Sequence, residues 1–334
     1  MLRAFRYFLL LVVMATAAAV GGLAWHAMTP LKLPAASVDF SITPGSSLRA
    51  ATRQIAASGI PVRELAFNVL ARIYGKETAI KAGSYELRAG ATPWQLLQKI
   101  TQGDFSLADI VFIEGWNFAQ LRAALDANAH VRHDTRGLSD GQIMERLGAP
   151  GVPAEGMFFP DTYLFARGES DLAILGRALR VMGKHLDAAW ESRAGDLPLA
   201  YAREALVLAS IVEKETGHAS ERPLIAGVFV NRLKRGMRLQ TDPTVIYGLG
   251  KQFDGNLRRR DLESDTPFNT YTRDGLPPHP IAMPGKAALL AAVNPAKTDA
   301  LYFVSKGDGT HQFSRSIDDH NRAVTRFQKA PARK

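Results

Sequence analysis

Hydrophobic and polar positions alternate along this chain in several distinct ways, and each way predicts an element. Residues 7–25, YFLLLVVMATAAAVGGLAW, carry no charge. As a helix rising 1.5 Å per residue they would span about 28 Å, one bilayer core. Residues 27–37 hold two prolines among small residues and read as a linker. Residues 38–42 alternate apolar and polar, as a short strand does. Thr43-Pro44-Gly45-Ser46-Ser47 is a turn ending on a helix cap, and Leu48, Ala51 and Ile55 then recur at helical spacing until Gly59-Ile60-Pro61. The same unit returns: a strand at 82–87, then Gly90-Ala91-Thr92 as turn and cap. Pro93 stands at the first helical position, where its missing N–H costs nothing, and Gly103 ends the helix. A looser third copy runs from a strand at 110–113 to a helix at 118–125.

Beyond this region the pattern predicts a short amphipathic helix at 140–147 and a long one at 172–193. Between them, residues 155–163 are rich in aromatics, Gly and Pro and read as a loop, either lining a groove or packed on the core. Residues 202–216, AREALVLASIVEKET, are strong helix formers with apolar residues on nearly every side, the signature of a buried helix. A second helix follows to Lys234 and ends at Gly236. Residues 301–305 and 311–314 flank Lys306-Gly307-Asp308-Gly309-Thr310, a hairpin signal.

The fold class that results is α+β. A transmembrane helix at 7–25 follows a short N-terminus at 1–6, and a linker at 26–37 leads to a small α+β module at 38–105. A mixed α+β catalytic domain occupies 106–328, with a tail at 329–334. Arg3 and Arg6 precede the apolar run, so the N-terminus is expected in the cytoplasm and the remainder in the periplasm, as a single-pass inner-membrane protein. Ala15-Thr16-Ala17 offers a rival, a signal-peptide cleavage site, but the apolar run continues past it. The strand–turn–capped-helix units resemble a LysM-like glycan-binding module, although one such unit is also generic packing.

Composition narrows the chemistry. The 334 residues contain no cysteine, which excludes disulfides, thiolate metal sites and a Cys nucleophile. The net charge of +9 suggests an anionic partner. The surplus is scattered, however: Arg258-Arg259-Arg260 is followed at once by Asp261 and Glu263, and no nucleic-acid motif accompanies it. Nucleic acid is not an expected partner. His311, Asp318, Asp319 and His320 lack a metal-ligand spacing, so neither a metal nor a cofactor is expected.

Two carboxylates, Glu213 and Glu215, end the buried helix. Glu213 shares its side with Leu206, Ala209 and Ser210, whose small neighbours would let a ligand approach. Glu215 lies about 200° round, beside Leu208 and Ile211, which suits a supporting role. A free Glu is only about 0.2% protonated at pH 7. Raising it to about 6 in an apolar site would make it a competent general acid. The alternative is a structural ion pair with Lys214, Arg222 or Arg232. Downstream, amides, hydroxyls and aromatic rings lie among rigid prolines, the mixture that binds sugars. Ser210, Gln240, Thr241, Asp242, Tyr247, Asn269 and Tyr271 are the candidate substrate-binding residues. Asp242 is also a candidate second carboxylate, or the initiator of a turn before Pro243.

LASIVEKET, NRL–x–x–GMRLQTDPTVIYG, FNTYT–x–x–GLPP–x–PI and LYFVS–x–G–x–GTHQFS…HN resemble, in this order, the motifs of the YceG-like family of endolytic murein transglycosylases. The resemblance implies a lyase that cuts peptidoglycan glycan strands between MurNAc and GlcNAc, leaving 1,6-anhydro-MurNAc ends and terminating strand elongation. One glutamate, on this reading Glu213, would protonate the glycosidic oxygen and then take the proton of the attacking C6 hydroxyl. A hydrolase needs a second carboxylate; an internal hydroxyl does not. Glycan-strand synthases are the partners the family suggests. The competing expectations are a muramidase-type hydrolase and a non-catalytic, membrane-anchored glycan-binding scaffold.

Overall fold

The computed structural model describes residues 2–329; residues 330–334 of the expected tail, Arg333 and Lys334 among them, lie outside these. The chain divides into two compact units, residues 1–109 with 164–169, and residues 110–163 with 170–334.

The first unit begins with α1 (Leu2–Met28). Residues Phe5–Met28 of this helix are apolar and long enough to cross a membrane. Then come β1 (Ser37–Ile42), α2 (Leu48–Ala57), α3 (Glu64–Ile73), β2 (Gly83–Arg88), α4 (Pro93–Gln102) and β3 (Leu107–Val111). β1 and β2 pair antiparallel with Phe40 opposite Tyr85, and their rings stack 5.3 Å apart over a core that includes Ile55, Phe67, Leu97 and Ile100. The expected caps are in place. Ser47 accepts the Ala50 N–H, and Thr92 and Gln95 form a reciprocal capping box with Pro93 in the first turn. Gly103 closes α4 in a left-handed conformation, φ 76°, that favours glycine. α3 was not among the expected elements. Its buried residues Phe67, Leu70 and Ala71 follow helical spacing, but Asn68, also buried, interrupts the apolar stripe; it accepts a hydrogen bond from Thr52 at 3.0 Å.

The second unit contains α5 (Phe118–Ala127) and α6 (Asp140–Arg146), and the chain then forms β4 (Thr162–Ala166), which pairs with β3. The run expected to be a loop at 155–163 thus ends in a strand. α7 (Asp171–Glu191), α8 (Ala202–Glu215), α9 (Arg222–Lys234), α10 (Asp242–Leu249), α11 (Arg259–Glu263) and α12 (Lys286–Val293) follow. The hairpin β5 (Tyr302–Ser305) and β6 (His311–Ser314) and the helix α13 (Ile317–Val324) complete the unit. α8 is buried along Ala205–Val212, as its all-round apolarity requires, and packs against α7, α9 and α12. Asp242, expected in a turn, instead begins α10, with Pro243 in its first turn where no N–H is needed.

Close packing of α9 has a measurable consequence. A Cβ added at Gly227 would lie 2.6 Å from the Ala296 carbonyl oxygen and 2.9 Å from Thr298 Cγ2. Backbone cannot yield as a side-chain tip can, so Gly227→Ala is expected to cost about 2 kcal/mol. Thermal melting of the variant checks this; an unchanged midpoint would mean that the 296–298 segment is free to move.

Candidate active site

The two glutamates at the end of α8 have opposite environments. The Glu213 side chain is only 5% exposed and both its oxygens are occupied. Oε1 accepts from Arg222 Nη2 at 2.9 Å and Oε2 from the Gly285 N–H at 3.0 Å. Arg222 is itself buried, and Glu114 lies 3.8 Å from the same nitrogen. Burial raises the Glu213 carboxyl above its ordinary range, opposed by Gly285 and Arg222. This is the structural ion pair, and Arg222 is the partner.

Glu215 has no arginine on it. The Thr241 hydroxyl donates to its Oε1, and the carboxyl lines a cavity of about 290 Å³. Burial pushes Glu215 up to about 7; the Asp242 charge adds to the rise, while Thr241 and Arg232 oppose it. About half of such a group is protonated at pH 7. The expected proton donor, Glu213, is thus the glutamate engaged in a buried ion pair, and Glu215, expected in support, is the one that faces a cavity. Facing angles on an isolated helix pointed to the small residues beside Glu213. In the fold, that side is filled by the Arg222 side chain and the Gly285 backbone.

The cavity around Glu215 is built by α9, the 239–242 segment, Tyr271, β5 and α13. α9 contributes Arg232, whose guanidinium donates to the carbonyls of Leu301, Arg238 and Leu239 at 2.6–3.1 Å and to Gln240 Oε1 at 3.3 Å. It lies 4.9 Å over the Tyr302 ring. Arg232 thus fixes β5 and the 238–240 segment together, beside its neighbour Asn231, which donates to the carbonyls of Thr298 and Ala300. Gln240 holds a left-handed backbone, φ 50°, uncommon outside glycine and stabilised here by its N–H bond to Thr270 O at 3.1 Å. Tyr271 donates to Asp242 Oδ1 at 2.5 Å, and burial with that contact raises the phenol far above its usual range. Leu239, Tyr302, Phe303, Ile317 and His320 complete the walls.

Of the expected substrate-binding residues, Gln240, Asp242 and Tyr271 are brought together with Glu215. Others serve the framework. Ser210 is wholly buried, donating to Val207 O at 2.7 Å and accepting from the Ile281 N–H at 3.0 Å. Thr241 is buried and spends its hydroxyl on Glu215. Asn269 is wholly buried; its amide donates to the carbonyls of Asp261, Leu262 and Ser264 and accepts from Tyr271 N. None of these three presents a free polar atom to a sugar. Tyr247 lines a separate groove with Glu155. The sequence reading missed Arg232, Tyr302 and His320 as cavity residues. No periodicity marks them, because they come from three elements that meet only in the fold.

An α+β protein with a proton-holding carboxyl in a cavity walled by phenols, an amide and a guanidinium has the equipment for acid–base work on a polyhydroxylated ligand. Comparisons agree. The model of the YceG-like family matches residues 40–326, and the chain belongs to that family. A Bacillus subtilis (strain 168) protein named endolytic murein transglycosylase is 32% identical over 310 residues, covering 87% of this chain and 85% of its own. A protein of the same name from Streptococcus pneumoniae serotype 2 (strain D39) is 28% identical, and this chain spans 58% of its greater length. The crystal structure of a yceG-like protein from Listeria monocytogenes superposes with a TM-score of 0.53 at 27% identity, covering 86% of this chain and 98% of that one.

Proposed function

We propose that this protein is an endolytic murein transglycosylase, a lyase that cuts peptidoglycan glycan strands, with Glu215 as its single acid and base. The observation that carries this reading is the Glu215 carboxyl, held near half-protonation in a sugar-sized cavity without a cationic partner on its oxygens. Protonated Glu215 delivers its proton to the oxygen between MurNAc and GlcNAc. The carboxylate then accepts the proton of the MurNAc C6 hydroxyl as that oxygen bonds to C1. The GlcNAc fragment leaves with the donated proton, and the other end closes as 1,6-anhydro-MurNAc. Gln240, Tyr271 and Arg232 would hold hydroxyl and acetamido groups.

Asp242 favours a second reading, hydrolysis, because its exposed carboxylate lines the same cavity and could activate water. Mass spectrometry of released muropeptides separates the two, since anhydro ends are lighter than reducing ends by one water. Reducing ends alone would establish the hydrolase. Binding of glycan with no release at all would establish the scaffold.

The apolar α1 would anchor the enzyme in the inner membrane, and Arg3 and Arg6 favour an N-terminus inside with the catalytic segment at 106–328 in the periplasm. The antiparallel β1 and β2, with α2 and α3 between them, support the reading of 38–105 as a LysM-like module. Glycan-strand synthases are the natural partners for an enzyme that terminates elongation.

The pH profile tests the acid. Cleavage needs protonated Glu215 at its start, so kcat/KM should fall as pH rises through about 7. Asp242 contributes to holding Glu215 high. Asp242→Asn removes that charge and keeps an acceptor for Tyr271, so the limb should move to lower pH. A limb that stays in place would show that another group controls it.

A further inference from the structure

A second groove is lined from the end of α8 and from α10. It measures about 740 Å³ and includes Asn117, Gln120, Glu155, Pro243, Ile246 and Tyr247 in its walls. Consecutive residues divide between the two spaces: Lys214 lines the groove and Glu215 the cavity, while Pro243 lines the groove and Asp242 the cavity. The end of α8 and the first turn of α10 thus contribute walls to both spaces.

The groove is built rather than incidental. Glu155, buried and for that reason itself pushed up to about 7, accepts the Phe118 N–H at 3.0 Å and the Tyr247 hydroxyl at 3.1 Å. It thereby ties the start of α5 to α10. The Tyr247 ring is packed edge-on by Phe268 and His279, with centroids at 4.9 and 5.8 Å. At the rim, Asn117 and Gln120 spend their amide oxygens on each other's backbone N–H groups in the α5 capping box. Their NH2 groups remain as donors. An apolar floor of Pro243 and Ile246 beside amide donors matches the apolar faces and oxygen-rich edges of pyranose rings.

We propose that this groove is a second saccharide-binding segment, holding the part of the same glycan strand that passes from the Glu215 cavity over the first turn of α10. The proposal rests on the glycan-cleaving function above and adds to it a physical basis for cutting within strands: the larger space accommodates several sugars beyond the bond being broken.

The test compares kcat/KM for stem-free glycan strands, long against a single tetrasaccharide, using the full chain in detergent. Wild type should prefer the long strands. In Gln120→Ala and, separately, Ile246→Ala, that preference should fall about three- to tenfold through KM, the worth of one neutral contact. Gln120→Ala also removes half of the α5 capping box, so thermal melting establishes that both variants are folded at the assay temperature. An unchanged preference in both variants overturns the proposal. So does a loss seen only with peptide-bearing strands, which would assign the groove to the peptide stem. If wild type cleaves no strand of either length, the function itself fails, and the groove proposal with it.

Discussion

Glu215→Gln should lower strand cleavage by about 10³-fold or more while leaving the fold intact, since a positioned acid–base group contributes on the order of 10²–10⁴ and here one residue serves both steps. Glutamine keeps the acceptor that Thr241 uses and removes only the proton and the charge. Stability provides an independent reading. The folded protein holds this carboxyl at about 7 rather than its ordinary 4.5. The folded state therefore binds the proton more tightly than the unfolded chain, and its stability falls as pH rises from about 4.5 through 7. Once Glu215 is ionised, the penalty reaches up to about 3 kcal/mol. Glu215→Gln should thus be more stable than wild type at pH 8 and nearly equal to it at pH 4. Thermal melts at the two pH values, with muropeptide analysis of digested peptidoglycan, measure both effects. A variant that still releases anhydro ends at a wild-type rate would remove Glu215 from the chemistry.

Glu213→Gln should show the converse, a folding defect with activity largely kept. The carboxylate satisfies two donors at once, Arg222 Nη2 and the Gly285 N–H. An amide has only one oxygen, so one donor must face an NH2 group. Arg222 also loses a buried counter-charge, and Glu114, half exposed and 3.8 Å away, replaces it poorly. Removing one member of a buried pair costs about 3–5 kcal/mol. For a unit of this size that lowers the melting point by roughly 6–12 °C or more. Below that temperature the variant should retain cleavage within about tenfold of wild type. Full stability with no cleavage would instead return the acid role to Glu213. The crossed pattern of the two variants separates the glutamates, which stand two residues apart on one helix.

The structure also explains how the family's motifs divide their work. Asn231 and Arg232 bind the backbone near β5, and Asn269 holds the 261–264 carbonyls. Ser210 fixes Ile281. Most of the polar residues that look like sugar contacts are therefore spent on the loops, which lets a small number of them, Gln240, Asp242 and Tyr271, meet Glu215 in a fixed arrangement.

By itself the sequence determined the local structure. Periodicity and capping chemistry placed α2, α4, α8 and the β5–β6 hairpin, because Ser47, Thr92, Pro93 and Gly103 act on backbone groups within a few residues. It also determined the apolar N-terminal helix and, through four ordered motifs, the family. Only the tertiary structure decided which of two neighbouring glutamates is free. Whether a carboxylate is an acid or half of an ion pair depends on Arg222, Gly285, Arg232 and Thr241, which lie 9 to 72 positions away and approach only when the helices pack. Helix geometry gives a side chain its direction; what fills that direction is settled by the rest of the fold.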